Sequence, residues 1–336
     1  MFFHFYFLLI NLLWRTWKTI EVYIFSAHYI LMQNIEKHQT YTIDPEKNNL
    51  KGKVVIITGG GTGIGYEVTK RLLTAGAHVI TASNDSEDTR RKLQEWTDAA
   101  SPPGTFKCMH VNLLNMKSVK HFVDSFLKKR LPLHMLINNA AIMFPPYSVN
   151  SDGFESQFAV NYMSHFLLIQ LLLPLLKKSG SKNDHSKILN TSSCLHYLGN
   201  IAMDDLQSHK RYSPYGSYED SKLAVVLMTR YLHRQLIKTQ SFVTVNSLHP
   251  GVCNTPLFKY VSWSQILQFL MRLFFKTPSQ ASDTYMYCLL SSDMANVGGK
   301  YIDNCKIKTP SALAQDPLLQ EQLWLATIKL LAALKI

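Results

Sequence analysis

The sequence predicts an α/β protein built on a single doubly wound, Rossmann-type parallel sheet, preceded by an apolar N-terminal extension. Apolar runs that fit buried strands alternate with amphipathic stretches that fit helices from residue 51 onward. The first run, residues 54–57, leads through the glycine-rich turn 58–65 into a helical stretch. Glycines at such a turn let the backbone approach a pyrophosphate at a helix N-terminus, which predicts a dinucleotide site. A tight turn without a ligand is the alternative.

The composition narrows the class of protein. The 336 residues are 46% hydrophobic, which allows a large core and excludes a disordered or fibrous chain. The net charge of +12 favours an anionic membrane surface or an anionic cofactor. Because the basic residues form no long run, we predict no nucleic-acid partner. The cysteines are scattered without metal-ligand spacing, so we predict reduced thiols and no metal site. They are Cys108, Cys194, Cys253, Cys288 and Cys305.

The N-terminal extension is interpreted as an uncleaved membrane anchor over residues 1–32. It contains two apolar runs, 2–14 and 20–32, separated by Arg15 and Lys18. Neither run reaches the roughly twenty residues of a spanning helix, which favours a tilted or interfacial anchor.

Two alternatives to the anchor remain open. A signal peptide would need a positively charged start and a small-residue cleavage site. The other alternative is an apolar extension packed on the domain. Residues 33–50 are polar and predict a linker.

The repeating elements then follow in order. Strands are expected at 54–57, 78–82, 106–111, 135–140, 187–193 and 242–248, with helices at 66–73, 85–99, 118–129, 154–176 and 218–236. The amphipathic stretch 318–336 either lies on a membrane or caps the domain. Because ligands bind at the carboxyl ends of parallel strands, the polar residues there should converge on one crevice. They are Gly59 to Gly65, Asn112, Asn138, Asn139, Ser193, Pro250 and Gly251.

Tyr218 and Lys222 lie four residues apart, on one face of a predicted helix. An ammonium group, together with an oxidised nicotinamide, would lower the phenol pKa from about 10 and make Tyr218 a general acid or base. Such a pair is common by chance. The pair indicates a catalytic site here because three other features accompany it. They are the serine at a strand end, the asparagine on a buried helix and the glycine turn.

These motifs together resemble the short-chain dehydrogenase/reductase superfamily over residues 51–303. The resemblance rests on residues 58–65, 138–140, 161, 193, 218–222 and 250–251. It implies about seven strands and a bound NAD or NADP. It also implies that Tyr218 exchanges the hydroxyl proton, that Lys222 binds the nicotinamide ribose, and that Ser193 hydrogen-bonds the substrate oxygen. Asn161 would hold the water of a proton relay, and Ser192 would be a backbone or packing partner.

By the same resemblance, the cofactor lies along the strand ends. The implied contacts are Thr58, Gly59, Gly61, Thr62, Gly63, Ile64, Gly65, Ser83, Asn84, Asn112, Asn139, Ala140, Tyr218, Lys222, Pro250, Gly251, Val252 and Thr255.

Within the superfamily the chain resembles the retinol-dehydrogenase-like branch, through residues 152–155, 160–162 and 249–252, and a subgroup that acts on polyprenols. The latter likeness rests on short matches at 131–134, 203–208, 275–278, 297–299 and 322–324. It implies a lipid alcohol or carbonyl substrate, with a long-chain isoprenoid first and a retinoid or steroid second.

The resemblance also implies the domain bounds. The domain would span 51–305 and include an apolar substrate lid around 257–276, with a tail at 306–336. An ordinary buried or oligomer-facing helix is the alternative to the lid, and a homo-oligomer is compatible with the sequence.

Three departures from the family pattern bear on the cofactor. Asn112 stands where an aspartate usually contacts adenine, and Ala141 replaces a glycine. The loop at Ser83 and Asn84 has no arginine for a 2′-phosphate and no acidic group at the decisive position, while Thr62 is neutral. The choice between NAD and NADP therefore stays open.

Location and a different class of function are inferred last. An endoplasmic-reticulum membrane with the catalytic domain on the cytoplasmic side fits the anchor and a lipid substrate, with a lipid droplet or secretion as alternatives. A cofactor-binding scaffold without turnover is the alternative to an enzyme.

Overall fold

The computed structural model describes residues 2–261 and 268–335. Its centre is an eight-stranded sheet in the order β3-β2-β1-β4-β5-β6-β7-β8. All pairings are parallel except that of β8 with β7. The strands are β1 Val54–Thr58, β2 His78–Ser83, β3 Thr105–His110, β4 Met135–Asn138, β5 Ser186–Thr191, β6 Val243–His249, β7 Tyr301–Asp303 and β8 Lys306–Lys308.

Helices cover both faces of this sheet. They are α1 Phe2–Ile35, α2 Gly63–Thr74, α3 Ser86–Ala100, α4 Met116–Leu127, α5 Ser156–Phe158, α6 Ser164–Ser179, α7 Pro214–Lys238, α8 Gln268–Phe274, α9 Pro278–Leu290, α10 Ala312–Gln315 and α11 Pro317–Ala333. A π-helical turn, Ala159–Met163, joins α5 to α6. Short 3-10 turns occupy Cys194–Tyr197, Pro256–Tyr260 and Ser292–Met294.

The core forms one layer on each side of the sheet. In β1, Val54 and Ile56 belong to the layer with α4, α6 and α7, whereas Val55 and Ile57 belong to the layer with α2 and α9. Side chains alternate between the faces of a strand, and both faces of a parallel sheet are covered, so the run is apolar throughout. The doubly wound sheet predicted from the sequence is confirmed, with an eighth, antiparallel strand added.

The segment Ser156–Ser179 has the length and hydropathy of a membrane-crossing helix among the residues that the structure describes. Most of it is buried inside the domain. It therefore serves here as a core helix.

Helix α7 begins before the predicted start at residue 218. Ser213 accepts a hydrogen bond from the Gly216 N–H, and Pro214 occupies the first helical position. A polar cap followed by proline favours helix initiation. Tyr218 consequently lies in the second turn, inside the helix, with its side chain buried.

Helix α1 is continuous through both apolar runs and ends at Ile35, three residues beyond the predicted end of the extension. Its inner face contacts the domain: Trp14 lies over Gly216, Lys18 binds Glu219, and Gln33 binds the backbone of Val252. The helix therefore packs over the carboxyl edge of the sheet, next to α7.

The predicted linker and tail both pack on the domain. Asn48 is buried and its Nδ2 donates to the Leu290 carbonyl at 3.1 Å. In α11, Leu323 is buried, and the centroid of the Trp324 ring lies 4.6 Å from that of Phe166 with the two rings tilted. The C-terminal stretch therefore caps the domain. Within the predicted lid, residues 262–267 lie outside the described residues.

Candidate active site

The glycine turn after β1 builds a cradle that only glycine permits. Gly59 and Gly63 have φ angles of +68° and +51°, a region that favours glycine. A Cβ on Gly65 would lie 2.2 Å from the Gly59 carbonyl oxygen. Thr62 precedes α2 without making a side-chain cap, so the side chain leaves the first N–H groups of the helix for another acceptor. These features fit a bound pyrophosphate.

Thr58 and Asn139 lock the ends of β1 and β4 together. The Thr58 hydroxyl accepts from the N–H groups of Asn139 and Ala140 at 2.9 and 3.0 Å. It donates to Nε2 of His165 at 3.0 Å, while Nδ1 of that ring donates to the Asn161 carbonyl at 3.2 Å. Burial lowers the pKa of His165 to about 3, so the ring is neutral, as this hydrogen-bonding pattern requires. Thr58 thus positions the cradle from behind.

Tyr218, Ser193 and Lys222 meet at the carboxyl end of β5. The Tyr218 hydroxyl is hydrogen-bonded to the Ser193 side chain. The Lys222 Nζ donates to the Thr191 carbonyl at 3.0 Å and lies 5.5 Å from the centroid of the Tyr218 ring. Ser192 instead donates to the Lys222 carbonyl at 2.9 Å. The spacing of four residues along α7 therefore places the amine beside the phenol, as predicted.

Burial raises the pKa of Tyr218, and the Ser193 hydrogen bond only partly opposes that rise. The lowered pKa that the sequence predicts applies to the site with an oxidised nicotinamide beside Tyr218, and it stays a prediction. Burial also lowers the pKa of Lys222 to about 7, which weakens the positive charge that was expected to stabilise a tyrosinate. Both side chains are almost wholly removed from water, and desolvation disfavours each charged form.

Asn161 lies in the π-helical turn, behind the loop that follows β4. Its Oδ1 accepts from the Ile142 N–H at 2.9 Å, and its Nδ2 donates to the Ile142 carbonyl and to the Ser221 hydroxyl, each at 3.0 Å. Ser221 in turn donates to the Tyr218 carbonyl at 2.8 Å. Asn161 therefore couples the β4 loop to the helix that carries Tyr218.

The loops after β2 and β3 are stabilised by their own side chains. Ser83 is hydrogen-bonded to Thr89 at 3.2 Å, and the Asn112 Oδ1 accepts from the Leu114 N–H at 3.0 Å. The Asn84 carbonyl is hydrogen-bonded to His110 at 3.0 Å. The next residue, Asp85, caps α3. The acidic side chain that follows this loop is thus used as a helix cap.

Gly61 has a different role from the other glycines of the turn. A Cβ on Gly61 would lie 2.1 Å from the Thr89 Oγ1, in the start of α3. It permits close packing of the turn on α3.

The segment after β6 forms the opposite wall. Gly251 has a φ of +92°, and a Cβ there would lie 2.7 Å from the Lys276 side chain and 2.8 Å from the Gln33 Oε1. Pro250, Val252 and Thr255 line the same cavity. Both walls therefore contain glycines that bring the backbone to the cavity surface.

A cavity of about 380 Å³ runs between these segments. Of the predicted site residues, it is lined by Gly59, Thr62, Gly63, Ile64, Gly65, Asn139, Ala140, Ser193, Tyr218, Lys222, Pro250, Gly251, Val252 and Thr255. Thr58 and Asn161 support it from behind, whereas Gly61, Ser83, Asn84 and Asn112 lie toward β2 and β3, away from its walls.

Sequence reasoning missed several residues of this cavity. The Thr191 carbonyl accepts a hydrogen bond from the Lys222 amine, and the Tyr285 hydroxyl donates to the Asn139 Oδ1 at 3.0 Å. Thr191 could have been found from its place at the end of β5. Tyr285 and the α1 residues Val22, Ser26 and Ile30 carry no local signal, because they reach the cavity only through tertiary packing.

Comparison with known proteins agrees with this geometry. The family model described as short chain dehydrogenase matches residues 53–265. This chain belongs to the short-chain dehydrogenase family. As a member of that family it is an oxidoreductase that uses NAD or NADP and acts on a CH–OH group.

Relatives and solved structures extend the likeness over most of the chain. The polyprenol dehydrogenase of Homo sapiens is 38% identical, over 91% of this chain and 93% of its own length. Retinol dehydrogenase 12 of Homo sapiens is 36% identical, over 91% and 95%. Among solved structures, an uncharacterised protein from Mycobacterium Paratuberculosis is 25% identical with a TM-score of 0.69, covering 87% of this chain and 97% of that one. The resemblance predicted from the motifs is thereby confirmed.

Proposed function

We propose that this short-chain dehydrogenase interconverts a lipid alcohol and its aldehyde or ketone, with a long-chain polyprenol as the first candidate. The observation that carries the proposal is the cluster of Tyr218, Ser193 and Lys222 at the base of a cavity whose outer wall is apolar. Met143, Phe144 and Leu257 belong to that wall. The printed names of the relatives, polyprenol dehydrogenase and retinol dehydrogenase, support a lipid alcohol. A retinoid or steroid alcohol is the second candidate.

The residues of the site have separate roles in the proposed reaction. The glycine turn and the Pro250–Thr255 region would hold NAD or NADP. The bound cofactor would supply the chemistry of hydride transfer to and from the alcohol carbon. Tyr218 takes the hydroxyl proton during oxidation and returns it during reduction. Ser193 donates a hydrogen bond to the substrate oxygen and so favours its developing charge.

Lys222 and Asn161 act on the proton that Tyr218 exchanges. A protonated Lys222 beside the ring favours the tyrosinate, and its Nζ is positioned by the Thr191 carbonyl. Asn161 is proposed to hold a relay water. Its Oδ1 already accepts one backbone hydrogen bond, and a carbonyl-type oxygen can accept a second.

The proposal is tested with purified full-length protein, NAD and NADP, and a panel of prenyl, retinoid and steroid alcohols. We expect turnover of at least one prenyl alcohol. Tyr218→Phe should lower kcat by at least about 100-fold, because it removes the general acid or base. Tyr231→Phe is the matched control, since Tyr231 lies on the same helix and packs on Trp324 away from the cavity.

Two results would contradict the proposal. Activity that survives Tyr218→Phe would remove Tyr218 from the chemistry. Cofactor binding without turnover of any alcohol would support the scaffold alternative instead.

We further propose that the protein works at a membrane surface, facing the cytoplasm at the endoplasmic reticulum. Support comes from the outward face of α1, which carries exposed apolar side chains between residues 13 and 35. Its members are Leu13, Trp17, Ile20, Ile24, Leu31 and Ile35. Phe269, Leu273 and Phe274 of α8 are also exposed, and Asn34 joins the two helices through the Phe274 carbonyl at 3.0 Å. Exposed apolar surface of this extent marks an interaction site.

A further inference from the structure

Helix α1 has a second face with a different environment. Val22, Ser26 and Ile30 follow one another at intervals of four residues, so they form a ridge along one side of the helix. All three line the cavity that contains Ser193 and Tyr218. Val22 is buried, and it packs with Met143 and Leu195 next to the Tyr218 ring.

Polar contacts fix this ridge in place at both ends. Near its start, the Lys18 Nζ lies 2.9 Å from the Glu219 carboxylate, one residue after Tyr218. Near its end, the Val252 N–H donates to the Gln33 Oε1 at 2.8 Å. Between them, the Tyr29 hydroxyl donates to Asp303 at the end of β7. Contacts that span more than 200 residues in sequence hold α1 against the site, so the ridge is part of the folded cavity wall.

We propose that the ridge of Val22, Ser26 and Ile30 is the substrate-selecting wall of the active site. An unbranched or prenyl chain attached to the reacting alcohol would lie along it. The opposite face of the same helix carries exposed apolar side chains such as Ile24, which is 67% exposed. One helix would therefore contact the membrane with its outward face and the reacting end of the substrate with its ridge. This inference rests on the proposed function.

Selection by the ridge is tested in the full-length protein with geraniol, which has ten carbons, and geranylgeraniol, which has twenty. Ser26→Trp should fill the space of the cavity along the ridge. It should lower kcat/KM for geranylgeraniol at least about tenfold and that for geraniol less, because an overfilled site rejects the larger ligand. Ile30→Ala should shift the ratio the opposite way. Ile237→Trp and Ile237→Ala, at an exposed position of α7 outside the cavity, are the matched controls, and their ratios should equal that of the wild type.

A second measurement does not depend on a bulky side chain. Ser26→Cys and Ile24→Cys are alkylated with a maleimide, and labelling at each position is followed by mass spectrometry. Geranylgeraniol with cofactor should slow labelling at position 26 at least about fivefold and leave position 24 unchanged.

The outcomes separate this inference from the proposed function. If the wild type oxidises none of the alcohols, the proposed function fails. If the wild type is active, an unchanged substrate ratio in Ser26→Trp and Ile30→Ala, or equal labelling at position 26 with and without geranylgeraniol, overturns the inference alone.

Discussion

Lys222 is a buried amine whose nearest hydrogen-bond acceptor is a backbone carbonyl. Its Nζ donates to the Thr191 carbonyl, and burial lowers its pKa to about 7. In water the same amine would keep its proton up to about pH 10.4. Between these values the unfolded chain holds one proton more than the folded chain, so the free energy of unfolding rises with pH through this group.

Lys222→Met should remove this dependence. From pH 7 to pH 9, the free energy of unfolding of the cofactor-free wild type should rise by about 2 kcal/mol relative to the variant. Urea titrations of both proteins at the two pH values measure the difference. Parallel pH profiles for the two proteins would mean that the Lys222 amine stays protonated when buried.

At the scale of elements, α1 is attached to α7 through a charged contact. Lys18 binds Glu219, whose carboxylate is fully buried. Burial raises the pKa of Glu219 to about 8, while the charge and hydrogen bond of Lys18 oppose that rise. Burial lowers the pKa of Lys18, but its hydrogen bonds to Glu21 and Glu219 raise it overall. The contribution of Glu219 to the free energy of unfolding therefore falls as the pH rises from about 4.3, the pKa of glutamate in the unfolded chain, through 8. Lys18 limits that fall.

Lys18→Met should therefore destabilise the protein more at pH 9 than at pH 6. At pH 9 Glu219 is charged and has lost its cation, so we expect a loss of about 2 kcal/mol in the free energy of unfolding and faster proteolysis of α1. Lys18→Met combined with Glu219→Gln should recover most of it. Arg90→Met, which breaks an exposed pair with Glu87, is the control and should cost under about 0.5 kcal/mol. Equal losses at both pH values would argue against a charged Glu219 at the α1 contact.

At the scale of the whole molecule, the apolar outward face of α1 lies next to α8, which also carries an exposed cation. Asn34 of α1 binds the Phe274 carbonyl of α8, and Arg272 is exposed on α8. Long basic side chains can reach headgroup phosphates while apolar neighbours enter the acyl boundary. The net charge of +12 supports the proposed contact with an anionic lipid surface.

A double substitution, Ile20→Glu with Ile24→Glu, should lower the vesicle-bound fraction of the full-length protein. Burying each isoleucine in lipid contributes about 1.5–3 kcal/mol, so we expect at least a tenfold weaker partition into vesicles that contain phosphatidylserine. Co-sedimentation measures it. Ile237→Glu is the control, because Ile237 is equally exposed at the far end of α7. If this control and the double variant bind vesicles alike, the outward face of α1 is not the contact with lipid.

The sequence by itself determined the parts of this protein that depend on local pattern. The apolar runs that fit buried strands predicted the sheet, as in β1, because a parallel strand covered on both faces is apolar throughout. The glycine turn predicted the cradle, because the positive φ angles at Gly59 and Gly63 favour glycine. The interval from Tyr218 to Lys222 predicted their proximity, because residues four apart share a helix face.

Only the tertiary structure decided what surrounds those groups. Burial raises the pKa of Tyr218, because desolvation depends on everything packed around the phenol. Asn161 meets Ile142 and a residue of α7 behind the cavity, which its position on a buried helix did not reveal. The apolar N-terminal run became a cavity wall, because Val22 reaches the site through contacts between segments almost two hundred residues apart, where sequence periodicity carries no information.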